Sequence, residues 1–170
     1  MATPSGQVEY PALTESAHHI PSKERVARMI EVNMGYAQCY MDGDFEGMLD
    51  YLIDVPVFEF HPQAIRVTGR EAVVERSRRM FPAVSQNDSR TASEHEIRAS
   101  TFAADLLIHE FSNVYRLADG TSRRCHTVAV IPFVGDKMVG ERIYTDQYLA
   151  ELRDHHLGPD FMDLPGVERL

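Results

Sequence analysis

Read with a period of two, the stretch RIYTDQY at 142–148 puts Arg142, Tyr144, Asp146 and Tyr148 on one face and Ile143, Thr145 and Gln147 on the other. A half-buried strand normally shows an apolar row. This row carries a cation, a carboxylate and two phenols, groups that orient a ligand and exchange protons with it. Elsewhere Tyr36 and Tyr40 stand four apart in a helical pattern, and His61 directly precedes Pro62. A buried phenol stabilises developing negative charge, and an imidazole moves protons near neutrality. His-Glu occurs twice, at 95–96 and 109–110, but neither pair has a second histidine at the i+4 position of a helical zinc motif. On a strand, neighbours point to opposite faces, so neither pair chelates and no metal is expected. There is no Gly-rich phosphate loop and no Gly-x-Ser-x-Gly elbow, so no cofactor is expected either.

Those groups need elements to position them. Ser22 is a helix cap, after which Val26, Met29, Ile30, Ala37 and Tyr40 recur at helical spacing until Gly43 supplies a stop. Asp44 caps a short second helix, FEGMLDYLI, which gives way to the β-prone run VPVFEF. Thr68 and Glu71 have capping-box spacing, predicting a third helix from Gly69 or Arg70 to Phe81, ended by Pro82. Four strand candidates follow: EHEIRASTF, DLLIHEFSNVYRL, SRRCHTVAVIPFV and KMVGERIYTDQYL. Their short turns, at Ala104-Asp105, Asp119-Gly120 and Gly135-Asp136, imply an antiparallel meander. The fold class is therefore α+β, with helices covering one face of a curved sheet and a pocket between the layers.

The chain divides into an N-terminal arm (1–21), one domain (22–152) and a C-terminal tail (153–170) too rich in Gly and Pro for one continuous helix. A formal net charge of −9, from 17 basic and 26 acidic residues, with no basic block, argues against nucleic-acid binding. The longest apolar run, VAVIPFV, is far short of a membrane span, and the N-terminus lacks the features of a secretory signal. Cys39 and Cys125 have no metal-type spacing and read as free thiols, so a cytoplasmic location is expected.

Three stretches carry a resemblance. YAQCYMDGDFEGMLDYL, VFEFHPQAIRVTGREAV and DKMVGERIYTDQYL resemble, in order, the first helix, the first strand with its turn into the third helix, and the last strand of the nuclear transport factor 2-like superfamily. Within it they are most similar to the SnoaL-like and ketosteroid-isomerase-like enzymes. The resemblance runs from about Ser22 to Leu152 and implies a cone in which three helices and a curved sheet enclose a pocket.

The resemblance also implies roles. Tyr36, eight residues before Asp44, matches the ketosteroid-isomerase tyrosine that donates to an enolate oxygen. With one gap, His61 falls where those enzymes carry their general base. Their protonated aspartate has no counterpart here, since RRCHTVAVI offers Cys125, Thr127 or Ala129. Asp146 matches the acid/base aspartate of SnoaL-like cyclases, with Arg142 orienting it and Tyr144 donating. On the strand LLIHEFSNVY, Ile108, Glu110, Ser112 and Val114 share one face and Leu107, His109, Phe111 and Tyr115 the other. Family strands often carry an inward glutamate here, which favours Glu110 facing the pocket and His109 facing a helix or an interface. Limonene epoxide hydrolases would place Arg-x-Asp here, and their constellation is not reproduced. His95 lies near a pocket histidine of scytalone dehydratase, while His18, His19, His155 and His156 belong to the tails.

The function expected from this pattern is a cofactor-independent acid/base enzyme, a lyase or isomerase, acting on a hydrophobic, aromatic or polycyclic small molecule. Its catalytic set is His61, Asp146, Tyr36 and Tyr144; its substrate-binding set is Tyr40, Arg142, Glu110, His95, Ser112 and Thr127. The alternatives are an epoxide hydrolase of the same fold and a module that binds a small molecule or peptide without chemistry. The family suggests homodimers through the outer sheet face, with trimers also known.

Overall fold

The computed structural model describes residues 20–85, 92–116 and 120–170. The arm before Ile20, with His18 and His19, lies outside the described residues, as do Asp119 of the expected turn and the side chains of His95 and His155.

Helix α1 (Lys23–Asp42) starts where Ser22 accepts from the Arg25 N–H and stops at Gly43, whose φ of 74° is a left-handed C-cap. Asp44 caps the short α2 (Phe45–Met48) through the Gly47 N–H at 2.9 Å. A single 3₁₀ turn leads into β1 (Leu52–His61), the cis His61–Pro62 peptide begins the turn, and β2 (Ile65–Thr68) returns antiparallel. Helix α3 (Arg70–Ser85) follows at once. Thr68 closes β2 instead of opening a capping box, and α3 continues past the expected stop, with Pro82 in its last turn. The proline takes one N–H out of the helical ladder, the one that would reach the carbonyl four residues back.

The strands β3 (Ala92–Ala103), β4 (Leu106–Arg116), β5 (Ser122–Val134) and β6 (Lys137–Thr145) form the expected antiparallel meander. Beyond it, β6 pairs in parallel with β1, so the sheet has the order β3-β4-β5-β6-β1-β2-β7. At this junction Gly140 (φ 141°) is needed, because a Cβ would collide with the Val57 carbonyl.

The C-terminal segment departs from the expected tail. Asp146 starts helix α4 (Gln147–Leu157), and β7 (Val167–Arg169) adds an edge strand to β2. Phe161 is 2% exposed, and Arg79 of α3 pairs with both carboxylate oxygens of Asp160 at 2.9 Å. The described residues thus hold four α-helices instead of three, still in an α+β class with a curved sheet. The breakers after Leu157 end α4 as the composition requires, but the cap at Asp146 was read as chemistry and the helix it starts was missed.

The core lies between helices and sheet. Met29 and Val32 of α1, Phe58 and Phe60 of β1, Val73 and Met80 of α3, and Leu107, Ala129 and Ile131 of the meander are all under 10% exposed. Each such large side chain contributes about 2 kcal/mol by leaving water. Arg25 fixes α1 to both hairpin tips. It donates to the Ala104 and Gly135 carbonyls and to Asp105, and its guanidinium lies 5.7 Å from the Phe133 ring centre.

Candidate active site

The inner face of β1 is set by Phe58 and Phe60, both in the core. In the parallel register Phe58 faces Glu141 and Phe60 faces Ile143. The inward row of β6 is therefore Glu141, Ile143 and Thr145, and Arg142 and Tyr144 face outward. This reverses the expected facing of the last strand. A shift of one residue exchanges every side chain between faces. Tyr144 is 45% exposed.

Inside the cone the residues converge. The Tyr36 ring stacks on Phe58 at 6.2 Å and Phe58 stacks on Phe60 at 6.3 Å. The Arg76 guanidinium lies over Phe60, 3.5 Å from the ring centre. Tyr40, one turn from Tyr36, meets Phe45 edge-on. Glu141 and Tyr36 are surrounded by protein mass yet keep some accessible surface.

Burial pushes the Glu141 carboxyl up to about 7, against the opposing attraction of the Arg76 charge. Burial also holds the Tyr36 phenol well above its usual value, with the Glu141 charge adding to the rise and Arg76 opposing it. The result is a carboxyl that titrates near neutrality beside a phenol that keeps its proton. Beside α4, Phe60, Ile65, Arg76, Met80, Leu157 and Phe161 line a pocket with room for little more than a water molecule; Tyr36 and Glu141 are not among its lining residues.

The other expected site residues are dispersed. His61 lies on the outer face, its ring stacked on Tyr144 at 4.5 Å and nearly parallel. Its Nε2 is 3.9 Å from Glu59, a carboxylate 7% exposed that pairs with Arg66 at 2.8 Å. His61 and Tyr144 are thus brought together, but on the side of the sheet away from Tyr36. Both Asp146 oxygens accept backbone N–H groups at 3.0 Å, from Leu149 and from His126, which makes Asp146 the N-cap of α4. Glu110 also points outward, 3.6 Å from Arg98, and Ser112 accepts from Arg124 beside Glu96. The alternation along β4 was right, but the pocket face belongs to His109, which reaches Asn33 of α1 at 3.2 Å and Ser100 at 2.8 Å. Thr127 faces inward, buried, with its hydroxyl 3.1 Å from that of Thr145.

Sequence reasoning missed Glu141 and Arg76. A signal for Arg76 existed: it lies three residues after Val73 and four before Met80, inside the buried stripe of α3. Among the described residues no group of three or more His, Cys, Asp and Glu could hold a metal ion, and no helix is long and apolar enough to cross a membrane.

No family model and no curated protein matches the chain. Solved structures do. A nuclear transport factor 2-like protein of unknown function from Burkholderia xenovorans is 22% identical, with a TM-score of 0.51 over 75% of this chain and 94% of that one. An LEH-like epoxide hydrolase from M. tuberculosis is 16% identical, with a TM-score of 0.54 over 77% and 92%. A Catenulispora acidiphila protein with a ketosteroid-isomerase-like fold, in complex with trimethylamine, is 13% identical, with a TM-score of 0.55 over 74% and 92%. The fold is that of the nuclear transport factor 2-like structures, among which are ketosteroid-isomerase-like, SnoaL-like and epoxide hydrolase proteins.

Proposed function

We propose that the protein is an acid/base enzyme, a lyase or isomerase, that works on a hydrophobic, aromatic or polycyclic small molecule inside the cone. The observation that carries this reading is the pairing, within one aromatic enclosure, of a carboxyl raised to about 7 with a phenol kept protonated. Ionised Glu141 takes a proton from a carbon next to a carbonyl. Tyr36 donates a hydrogen bond to the enolate oxygen as charge builds there. The protonated Glu141 then returns the proton to a different carbon, which isomerises the substrate, or to a leaving hydroxyl, which eliminates water. Phe58 and Phe60 supply the apolar walls, and Arg76 limits how far the Glu141 carboxyl rises. Epoxide hydrolysis, the activity named for the M. tuberculosis neighbour, would use the same carboxyl as acid.

This assignment moves the proton-transfer role from His61 and Asp146 to Glu141. The experiment is a panel of enones and β-hydroxyketones followed by NMR in D₂O, with wild type beside Glu141→Gln. Deuterium entering at the acidic carbon, lost by about a hundredfold or more in the variant, supports the role. Undiminished exchange in the variant removes it. A module that holds a ligand without chemistry is the second reading. Ligand binding that Glu141→Gln leaves intact, with no exchange in either protein, would decide for it.

A further inference from the structure

At the β3 edge of the sheet, three strands away from Glu141, a hydroxyl, an imidazole and an amide stand in line. Ser100 and His109 lie directly opposite each other on β3 and β4, and the Ser100 Oγ is 2.8 Å from His109 Nδ1. The other ring nitrogen, Nε2, is 3.2 Å from the side-chain amide of Asn33 on α1. The imidazole is half-buried and held from both sides, while Ser100 is exposed. A nucleophile within reach of a base, and a base within reach of a group that fixes its tautomer, is an arrangement that activates a hydroxyl for acyl transfer.

The surroundings of the hydroxyl are apolar. Regular alternation would put Ile97 and Ser100 on opposite faces of β3. A bulge between Ile97 and Ala99 brings both to the inward side, since Ile97 faces Phe111 and Ser100 faces His109, two members of one row of β4. Ile97 is 54% exposed there. On α1, Ile30 and Ala37 stand one turn before and one turn after Asn33, so they share its side of the helix, and both are exposed. Because β3 is the edge strand, every second backbone N–H along it points away from β4.

We infer that Ser100, His109 and Asn33 form a second catalytic site, one that cleaves esters with a small apolar acyl group. With the Asn33 nitrogen toward Nε2, the ring carries its proton on Nδ1 and donates to the hydroxyl. A half-turn of the amide exchanges two groups of nearly equal size and sets Oδ1 to accept from Nε2–H, which leaves Nδ1 to take the Ser100 proton. Asn33 is thus a positioning residue. The Ser100 Oγ bonds to the acyl carbon as its proton passes to Nδ1; the ester C–O bond then breaks, and the leaving alcohol takes the proton back. Water repeats the two transfers on acyl-Ser100 and releases the acid. Outward N–H groups of the β3 edge donate to the oxyanion.

Two measurements on the full chain test it: rapid-mixing hydrolysis of p-nitrophenyl acetate and butyrate, and labelling by a fluorophosphonate, which joins to an activated serine with loss of fluoride. The expected result is a burst of p-nitrophenol approaching one per chain and an adduct that mass spectrometry places on Ser100, both absent from Ser100→Ala. His109→Gln should slow the burst by about a hundredfold or more. Asn33→Leu should slow it by about tenfold or more, whereas Asn33→Asp, whose carboxylate only accepts, should keep at least the wild-type rate. Circular dichroism checks that each variant is folded. A chain with neither burst nor adduct overturns the proposal. So does an adduct on another residue, or a burst that survives Ser100→Ala or folded His109→Gln. Asn33→Leu as fast as Asn33→Asp removes Asn33 from the site.

Discussion

Replacing Glu141 by Gln should make the protein more stable at alkaline pH while removing its activity. The sign follows from where the proton sits. In the unfolded chain the carboxyl titrates at 4.5, and in the fold it is raised to about 7. Below pH 4.5 both states hold the proton and its stabilising effect is fully present. Between 4.5 and about 7 the unfolded state releases the proton and the folded state keeps it, so stability falls as pH rises. Above about 7 the fold carries a charge poorly solvated in its interior. The difference corresponds to about 3 kcal/mol, an upper bound, since water reaching the accessible part of the side chain reduces it. Glutamine has nearly the same shape and never ionises. Urea titrations at pH 5 and pH 8 should therefore show the two proteins nearly equal at the lower pH and the variant more stable by about 1–3 kcal/mol at the higher. Taking the difference between proteins cancels every other titrating group, including Asp160 and Glu75, which Arg79 holds low. A variant no more stable than wild type at pH 8 would refute the claim that Glu141 is enclosed. A variant that gains stability and loses turnover would show a residue retained at a cost to the fold.

Tyr36→Phe should keep the fold and lower turnover by roughly ten- to a hundredfold, because the donor to the oxyanion is removed while the ring stacked on Phe58 stays; steady-state kinetics with an active substrate measures it. Asp146→Ala should lose about 1–2 kcal/mol in thermal unfolding, since two backbone N–H groups lose their acceptor, with turnover of the folded fraction unchanged. His61→Ala should change turnover less than about threefold, because its ring lies against Tyr144 on the outer face; a loss as large as that of Glu141→Gln would restore His61 as the base.

These expectations differ from those of the sequence through the parity of β6 and the helix cap at Asp146. Local signals gave the element order well: Ser22, Gly43 and Asp44 cap and stop helices through bonds that depend only on near neighbours. The meander followed from short turns between apolar runs. Facing is also local where one row of a strand is apolar, as with Phe58 and Phe60 against Glu59 and His61 in β1. In β6 neither row is apolar, since Glu141 and Thr145 flank Ile143 and Arg142 precedes Tyr144. Alternation alone cannot choose between such rows. The choice comes from the parallel pairing that sets Phe58 beside Glu141, two residues more than eighty positions apart in sequence, and from the close approach that Gly140 permits.

The same logic explains why the expected site came apart. Its members were chosen by resemblance to a pattern along β6, so an error of one residue carried Arg142 and Tyr144 to the outer face together. Asp146 failed for a different reason: an aspartate at the end of a strand is also the preferred cap of a following helix, and here the helix takes both oxygens. The proposed proton transfer falls to other residues. A carboxyl stands on the inward row of the last strand one position before the expected arginine, and the charge of Arg76 acts on it from the buried stripe of α3. Tyr36, chosen for its place eight residues before Asp44, lies on the inner face of α1 against Phe58, whereas Ile30 and Ala37 of the expected helical stripe are exposed. The Tyr36 phenol keeps its proton because Phe58 and the surrounding core exclude water, a condition no spacing rule encodes.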